Sequence, residues 1–269
     1  MPNFYTLPPQ MRYFLSIAYQ GTHYHGWQEQ LNAITVQGVI QDKLTQLLGQ
    51  QVKIVGSGRT DTGVHAAQQW AHVDLAKEVH TDQLRHQLNQ ILPNDIAINA
   101  IHPVIPTAHA RFDALSRTYT YTLSPRKDPF CSHITHTFTK ELQLDKINEA
   151  SESLKAFQNF AAFSKVGSPT SYPYLCTIYE AFWREDTNQQ LVFRITANRF
   201  LRGMVRAIVG NLLKVGLGQK SVPDFQTIIQ SQDRSLSAGL VPPTGLVLQQ
   251  VVYPQNILGV ASCSANDFK

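Results

Sequence analysis

The sequence predicts an α+β protein in which one β-α-β-β-α-β pattern occurs twice, with mainly antiparallel sheets. Apolar runs of strand length alternate with amphipathic segments of helical spacing from residue 12 to residue 253. The order of elements in the first half of the chain returns in the second half. Of the 269 residues, 43% are apolar, which is enough for a substantial core. The halves share no visible sequence identity, so the repeat concerns only the order of elements.

Threonines, glycines and prolines mark the ends of the elements predicted in the first half. Thr35 and Thr81 are each expected to cap a helix, because a threonine side chain accepts a hydrogen bond from the first helical turn. Gly49 and Pro93 are expected to end these helices. The predicted elements are a strand at 12–19, a helix at 36–48, strands at 52–55 and 67–75, a helix between Thr81 and Pro93, and a strand at 96–101.

The second half shows the same order with longer segments. Asn198 is expected to cap a long helix that ends at Gly216, and Pro223 to begin a short extra helix. The predicted elements are a strand at 117–123, a helix at 145–157, strands at 175–184 and 191–197, a helix at 199–215 and a last strand at 245–253. Each half therefore matches the ferredoxin-like order.

These elements divide the chain into two halves and two tails. Pro103 and Pro106 interrupt the pattern, so the junction is placed within residues 104–116. The pattern leaves open whether the sheets of the two halves join. The predicted parts are a tail at 1–11, an N-terminal half at 12–110, a C-terminal half at 111–255 and a loose tail at 256–269.

Composition narrows the class of protein. Lys and Arg total 23 against 19 for Asp and Glu, and this mild excess permits a nucleic-acid partner without requiring one. The three cysteines form no Cys-x-x-Cys pair, which excludes a zinc ribbon and fits a reducing cytoplasm. Residues 1–10 lack the pattern of a signal peptide, and no run of 18 apolar residues predicts a membrane span. A cytoplasmic protein is predicted.

The most informative segment is residues 57–66, which read SGRTDTGVHA after Gly56. Dense glycines allow backbone torsions and close approaches that a β-carbon would block. Asp61 lies at the apex, near Arg59. An aspartate there can simply cap its own turn. The Asp-Thr-Gly tripeptide also occurs in aspartic proteases, but that chemistry needs two carboxylates and the chain has no second copy. Asp61 is the candidate catalytic carboxylate.

Two further segments carry arginines. Arg111 and Arg117 flank a segment that leads into Tyr119 and Tyr121, which point to one face of a strand. Such rings can stack on a flipped base while arginines contact its phosphates, or the tyrosines can be ordinary core residues.

In the third segment, Arg199, Arg202 and Arg206 fall at i, i+3 and i+7 of the predicted helix. The first two fit a solvated face. Arg206 lies at the apolar edge and, if half-buried, needs an anionic partner, for which Asp61 is the candidate. No metal site is predicted, because ligands as close as Cys131, His133 and His136 would need a loop folded around the ion.

Together these segments resemble the tRNA pseudouridine synthase A family. The resemblance covers residues 12–253 and is most specific in the SGRTDTGVHA loop. It also includes YQGTHYHGWQ at 19–28, TVQG at 35–38, RTYTY at 117–121, the segment 199–206 and the segment 243–248. Residues 160–168 and 172–174 depart from the pattern that bacterial members often show.

The resemblance implies a role for each candidate. Asp61 matches the catalytic aspartate, Tyr119 the tyrosine that packs on the target uracil, and Arg206 the arginine paired with the aspartate. Arg59 matches a loop arginine that helps to flip the base, and either Leu246 or Leu248 packs beside the ring. Family members resemble one another in being cofactor-free homodimers of the pseudouridine synthase fold that act on uridines 38, 39 and 40 of the tRNA anticodon arm.

The reaction implied breaks the N1–C1′ bond of uridine, rotates the uracil and joins C5 to C1′. No atoms are gained or lost overall, so no redox or acyl cofactor is required. Asp61 could attack C1′, attack C6 or remove a proton, and each role needs the ionised carboxylate. The alternative is a non-catalytic RNA-binding module on the same scaffold, although the aromatic RNA-recognition strand is not found in the sequence.

Overall fold

The computed structural model describes residues 11–165 and 174–258. The N-terminal half contains strand β1 (Met11–Tyr19), helix α1 (Val36–Leu48), strands β2 (Ile54–Gly56) and β3 (His65–Leu75), helix α2 (Thr81–Ile91) and strand β4 (Ile96–Val104). The C-terminal half contains β5 (Ser116–Ser124), β6 (His136–Thr137), α3 (Leu144–Ser153), β7 (Ile178–Glu185), β8 (Leu191–Ala197), α4 (Met204–Gly216), α5 (Val222–Ser231), β9 (Leu246–Val252) and α6 (Gln255–Leu258).

The strands of the described residues form one continuous sheet. The main strand order is β4-β1-β3-β9-β5-β8-β7. Strand β2 also pairs with β3 but is not part of this order. Each half therefore has the strand order of the ferredoxin-like fold, and the pairings within each half's repeat are antiparallel. The predicted fold class is confirmed. The sheets join where β3 and β9 run parallel, with His65 opposite Val247 and Ala66 opposite Leu248.

Two hydrophobic cores lie on either side of this joint. The first contains buried residues of α1 and α2, and the second contains those of α3, α4 and α5. Strand β9 contributes Leu248 to the first core and Leu246 to the second. Val64, from the loop before β3, packs in the second core. The joint thus connects the cores through side chains as well as through backbone pairing. The domain boundary between residues 110 and 111 stays a prediction.

Most helix signals act as predicted in the first half. The Thr35 side chain accepts a hydrogen bond from Gly38 N, and Gly49 ends α1 in the left-handed conformation. Thr81 was wrongly assigned as a cap, because it is the first residue of α2 and His80 occupies the cap position. The shift is one residue, and assignments of helix ends commonly differ by about one or two residues.

The start of the long helix was predicted wrongly. Helix α4 begins at Met204, after Gly203 with a φ of 71°. Asn198 forms no cap, because its backbone N–H and side-chain oxygen pair with Thr177 at 3.1 and 2.9 Å. Arg199 and Arg202 therefore precede the helix, and the predicted face of three arginines does not exist.

The remaining segments add detail to the boundaries. Strand β7 begins at Ile178, three residues after the predicted start, and β6 and α6 were not predicted. In the departing segment, Phe160, Ala162 and Phe163 are buried in the second core. Residues 166–173, and the parts of the predicted tails at 1–10 and 259–269, lie outside the described residues. Among the described residues, no helix has both the length and the apolarity needed to cross a bilayer.

Candidate active site

The loop at 57–64, which connects β2 to β3, carries Asp61 and begins on a fixed support. Ser57 N donates to Trp70 O at 2.7 Å, and the Ser57 hydroxyl donates to Gln69 Oε1. The amide of Gln69 in turn donates to Gly58 O at 2.9 Å. Ser57 and Gln69 are both buried. The polar groups at the start of the loop are therefore satisfied by β3, as buried polar groups require.

A second loop, residues 20–28, packs along the middle of the first. Trp27 N donates to Thr60 O at 3.2 Å, and Gly63 N donates to Tyr24 O at 3.3 Å. Gly26 has a φ of 87°, and a β-carbon there would lie 2.5 Å from Thr60 O. Only glycine allows this approach without strain. The segment YQGTHYHGWQ thus supports the Asp61 loop, which explains why the two motifs occur together.

Asp61 meets arginines from the other half of the protein. Its Oδ2 lies 3.5 Å from Arg206 Nη1, and its Oδ1 lies 3.8 Å from Arg202 Nε. The Asp61 side chain is 22% exposed, Arg206 15% and Arg202 61%. Arg206 is also tied to the scaffold, because its Nε donates to Val241 O at 2.7 Å. One carboxylate thus faces a largely buried guanidinium that is anchored to the scaffold and a second one that is exposed.

The two tyrosines of β5 have different environments. Tyr121 is fully buried, and its hydroxyl donates to Pro242 O and lies 2.9 Å from His136 Nδ1. Tyr119 is half-buried between the cores, with its ring edge-to-face against Phe200 at 5.2 Å. Burial, and then the negative charge of Asp61, raise the pKa of Tyr119 well above its ordinary value. Tyr121 is a core residue, whereas Tyr119 borders the site as a neutral phenol.

The structure does not bring every predicted residue into the site. Arg59 is exposed, and its Nε donates to Gln28 Oε1 at 3.0 Å, so it stands outside the Asp61 ion pairs. Leu246 and Leu248 are both buried, opposite Tyr121 and Tyr119 respectively in the β5–β9 pairing. The choice between these two leucines stays open.

Sequence reasoning missed Arg202 and Phe200 as parts of the site. It assigned Arg202 to a solvated helix face, but the loop before Met204 turns this residue toward Asp61. Gly203 was the available signal, since a glycine inside a predicted helix lowers confidence in the helix and favours a boundary there. In the described part of the chain, no group of three His, Cys, Asp or Glu residues is placed to hold a metal ion.

The two ferredoxin-like halves thus bring a carboxylate, two arginines and a half-buried tyrosine together in one candidate site. The family model described as tRNA pseudouridine synthase matches residues 15–113 and 150–254, and the chain belongs to this family. This membership makes the protein an enzyme of the isomerase class.

Several relatives match over nearly their whole length. The protein named tRNA pseudouridine synthase A from Porphyromonas gingivalis is 44% identical over 91% of this chain and 98% of its own. The protein of the same name from Bacteroides fragilis is 42% identical over 91% and 98%. Among solved structures, the archaeal box H/ACA sRNP Nop10–Cbf5 complex aligns with a TM-score of 0.32 and 12% identity, over 75% of this chain and 43% of that chain. This likeness is too low to bear on function.

Proposed function

We propose that this protein isomerises uridine to pseudouridine at positions 38, 39 and 40 in the anticodon stem-loop of tRNA, with Asp61 as the catalytic carboxylate. The observation that carries the proposal is the position of Asp61, on a loop held by two other segments and 3.5 Å from Arg206 of the opposite half. The relatives named tRNA pseudouridine synthase A support tRNA as the substrate. The three positions come from the family resemblance alone.

The chemistry assigns a task to each residue of the site. Asp61 acts as a nucleophile at C1′ or C6, or as a base, while Arg206 keeps it oriented. Tyr119 provides a ring on which the uracil stacks while its glycosidic bond is broken. Arg59, which is exposed and bonded to Gln28, helps to flip the base, a role that the family resemblance supports. The C5 proton is lost and N1 gains one, so composition is unchanged.

The energetics demand additional contacts with the RNA. Extruding a base costs a few kcal/mol, and stacking on one aromatic ring returns about 1–3 kcal/mol. Phosphate contacts from basic side chains supply the rest, so tRNA binding weakens as salt rises.

Three further features complete the proposal. The chain works as a homodimer in the cytoplasm and needs no cofactor. The family resemblance supports the dimer, and the free cysteines Cys131 and Cys176 fit a reducing compartment. Sedimentation equilibrium of the purified protein tests the dimer, and a purely monomeric protein at working concentration contradicts it.

The direct test compares tRNA from cells with and without this protein. Carbodiimide-reactive sites are mapped by primer extension, and we expect those at positions 38–40 to disappear when the protein is missing. Purified protein should restore them on the deficient tRNA without added cofactor. The alternative function, a non-catalytic RNA-binding module, predicts that the protein binds this tRNA and leaves every uridine unchanged.

A further inference from the structure

Arg117, at the start of β5, makes contacts that neither the family resemblance nor the Asp61 site accounts for. Its Nη1 donates to Ala114 O and Asn198 O, both at 2.8 Å. Its Nη2 donates to Ser57 O at 3.0 Å and to Arg111 O at 2.6 Å. One guanidinium therefore joins four backbone carbonyls from three separate parts of the chain.

Each of these parts leads into the site. Ser57 begins the loop that reaches Asp61, and Asn198 begins the segment that reaches Arg202 and Arg206. Arg117 itself lies two residues before Tyr119 on the same strand. The carbonyls of Arg111 and Ala114 anchor the guanidinium to the segment between β4 and β5. A shift of the guanidinium would therefore change the distance between the carboxylate and the arginines that face it.

The hydrogen-bond geometry argues against direct contact of Arg117 with RNA. Each terminal nitrogen of a guanidinium carries two hydrogens, so four are available at this end. All four are donated to the protein's own carbonyls. A phosphate could bind these nitrogens only by displacing one of those bonds. A phosphate contact was one of the alternatives that the sequence left open for this segment, and the bonds of Arg117 point inward.

We infer that Arg117 is a positioning residue, whose guanidinium holds the Asp61 loop and the segment 198–206 at the separation that catalysis requires. The inference rests on the proposed function, since its test measures the rate of pseudouridine formation. It differs from a general structural role because the bonded segments end at the two sides of one ion pair. A misplacement of about 1 Å in such a site costs roughly 10²-fold in rate.

The test replaces Arg117 by lysine, which keeps the charge and loses the planar fork. We expect kcat for pseudouridine formation to fall by about 10²-fold, with KM and the salt dependence of tRNA binding unchanged. Arg12→Lys is the matched control. Arg12 also donates to a backbone carbonyl of the same connecting segment, Ala108 O at 2.8 Å, and pairs with Asp74, but it contacts neither Ser57 nor Asn198. This variant should lose thermal stability and retain its kcat.

A double-mutant cycle separates positioning from ordinary destabilisation. If Arg117 acts through the Asp61–Arg206 pair, then Arg117→Lys and Arg206→Lys should be strongly non-additive in kcat, because either change alone disturbs the same geometry. Arg12→Lys and Arg206→Lys should be additive. Arg117→Gln, which retains a single NH₂ group, is assayed in the same way if the lysine variant does not fold.

Three outcomes would overturn the inference. The first is a normal kcat in the folded Arg117 variant. The second is a change in KM alone together with a weaker salt dependence of tRNA binding, which would indicate a phosphate contact. The third is additivity of Arg117→Lys and Arg206→Lys in the double-mutant cycle. Wild-type protein and Asp61→Asn are assayed alongside. If the wild type itself forms no pseudouridine, the proposed function fails, and that result is distinct from an active Arg117 variant.

Discussion

The two halves of the molecule have the same strand order, but the connections between their second and third strands differ. In the first half, residues 57–64 connect β2 to β3, and in the second half residues 186–190 connect β7 to β8. Each connection contains one aspartate. Asp186 Oδ1 accepts hydrogen bonds from Asn188 N and Gln190 N, both at 2.9 Å, and so caps its own turn. Asp61 instead faces Arg202 and Arg206.

The difference lies in what satisfies the backbone of each connection. Residues 186–190 bond to one another, and the carboxylate of Asp186 is part of that closed set. The loop at 57–64 is bonded by Trp70, Trp27 and Tyr24, which lie outside it. Because other segments hold its backbone, the carboxylate of Asp61 is free for an external partner. In this molecule, the aspartate whose loop is supported by other segments is the one that pairs with side chains outside its loop.

The largest difference between the two connections is expected when the aspartate of each is replaced by asparagine in a separate variant. Asp61→Asn should lower pseudouridine formation by about 10²–10⁴-fold or more, because the amide can neither attack carbon nor accept a proton. Its tRNA binding should persist. Asp186→Asn should leave turnover unchanged and cost about 1 kcal/mol of stability. Tritium release from C5-labelled tRNA measures the first effect, and thermal unfolding the second. Normal release by Asp61→Asn removes this residue from catalysis.

The next effect concerns the partners that Asp61 has and Asp186 lacks. Arg206→Gln should lower kcat by about 10²-fold, since the fixed cation that orients the carboxylate is lost. Arg202→Gln should lower it by about fivefold at most, because an ion pair with an exposed partner contributes roughly 0.2–1 kcal/mol. Single-turnover rates at saturating tRNA measure both. Equal losses in the two variants would show that the difference in burial between these arginines has no catalytic meaning.

A third test uses the left-handed residue in each connection. Gly63 has a φ of 76°, and a β-carbon there would lie 2.9 Å from Pro243 Cγ. Gly63→Ala should therefore cost about 1–3 kcal/mol and reduce turnover. Gln189 has a φ of 60° without being glycine, so Gln189→Gly should leave turnover intact and change stability by less than about 1 kcal/mol. Chemical denaturation and the tritium assay measure these changes. A fully active Gly63→Ala variant would contradict the strict geometry proposed for this loop.

The smallest effect is expected from the hydroxyl on the other side of the site. Burial and the charge of Asp61 raise the pKa of Tyr119, so the phenol keeps its proton to higher pH than an ordinary tyrosine. The kcat of the wild type should therefore show no limb from Tyr119 between about pH 9 and 11, where an ordinary tyrosine titrates. Tyr119→Phe keeps the stacking ring and should retain kcat within a few-fold. A large loss of kcat would assign the hydroxyl a role in proton transfer.

Much of the fold follows from local signals in the sequence. Thr35 and Gly49 bound α1 as predicted, because each signal acts within one helical turn. The prediction for α4 failed by five residues at its start, since Asn198 pairs with Thr177 and Gly203 turns the chain before Met204. Periodicity alone cannot reveal that distant pairing.

The site was predicted only in part, again because local patterns in the sequence do not show which distant residues meet. Asp61 stood out by the glycines around it, and Arg206 by its position at an apolar edge. The resemblance gave Arg59 a part in flipping the base, which stays a prediction, and the structure bonds its side chain to Gln28. For Arg117 the sequence left a phosphate contact open as one alternative, and its hydrogen bonds go to backbone carbonyls. The sequence around each residue indicated which side chains can serve in a site better than it indicated which atoms they contact.

The sequence by itself determined the repeated order of strands and helices, the glycine-rich loop and the residue types that serve the chemistry. Tertiary structure alone decided which of them meet, because Asp61 and Arg206 are far apart in the chain and approach each other only when the two halves pack together. The physical reason is the distance along the chain over which each feature is determined. The periodicity of a helix or strand depends on residues a few positions apart, whereas the burial of a charge pair depends on how two cores pack together.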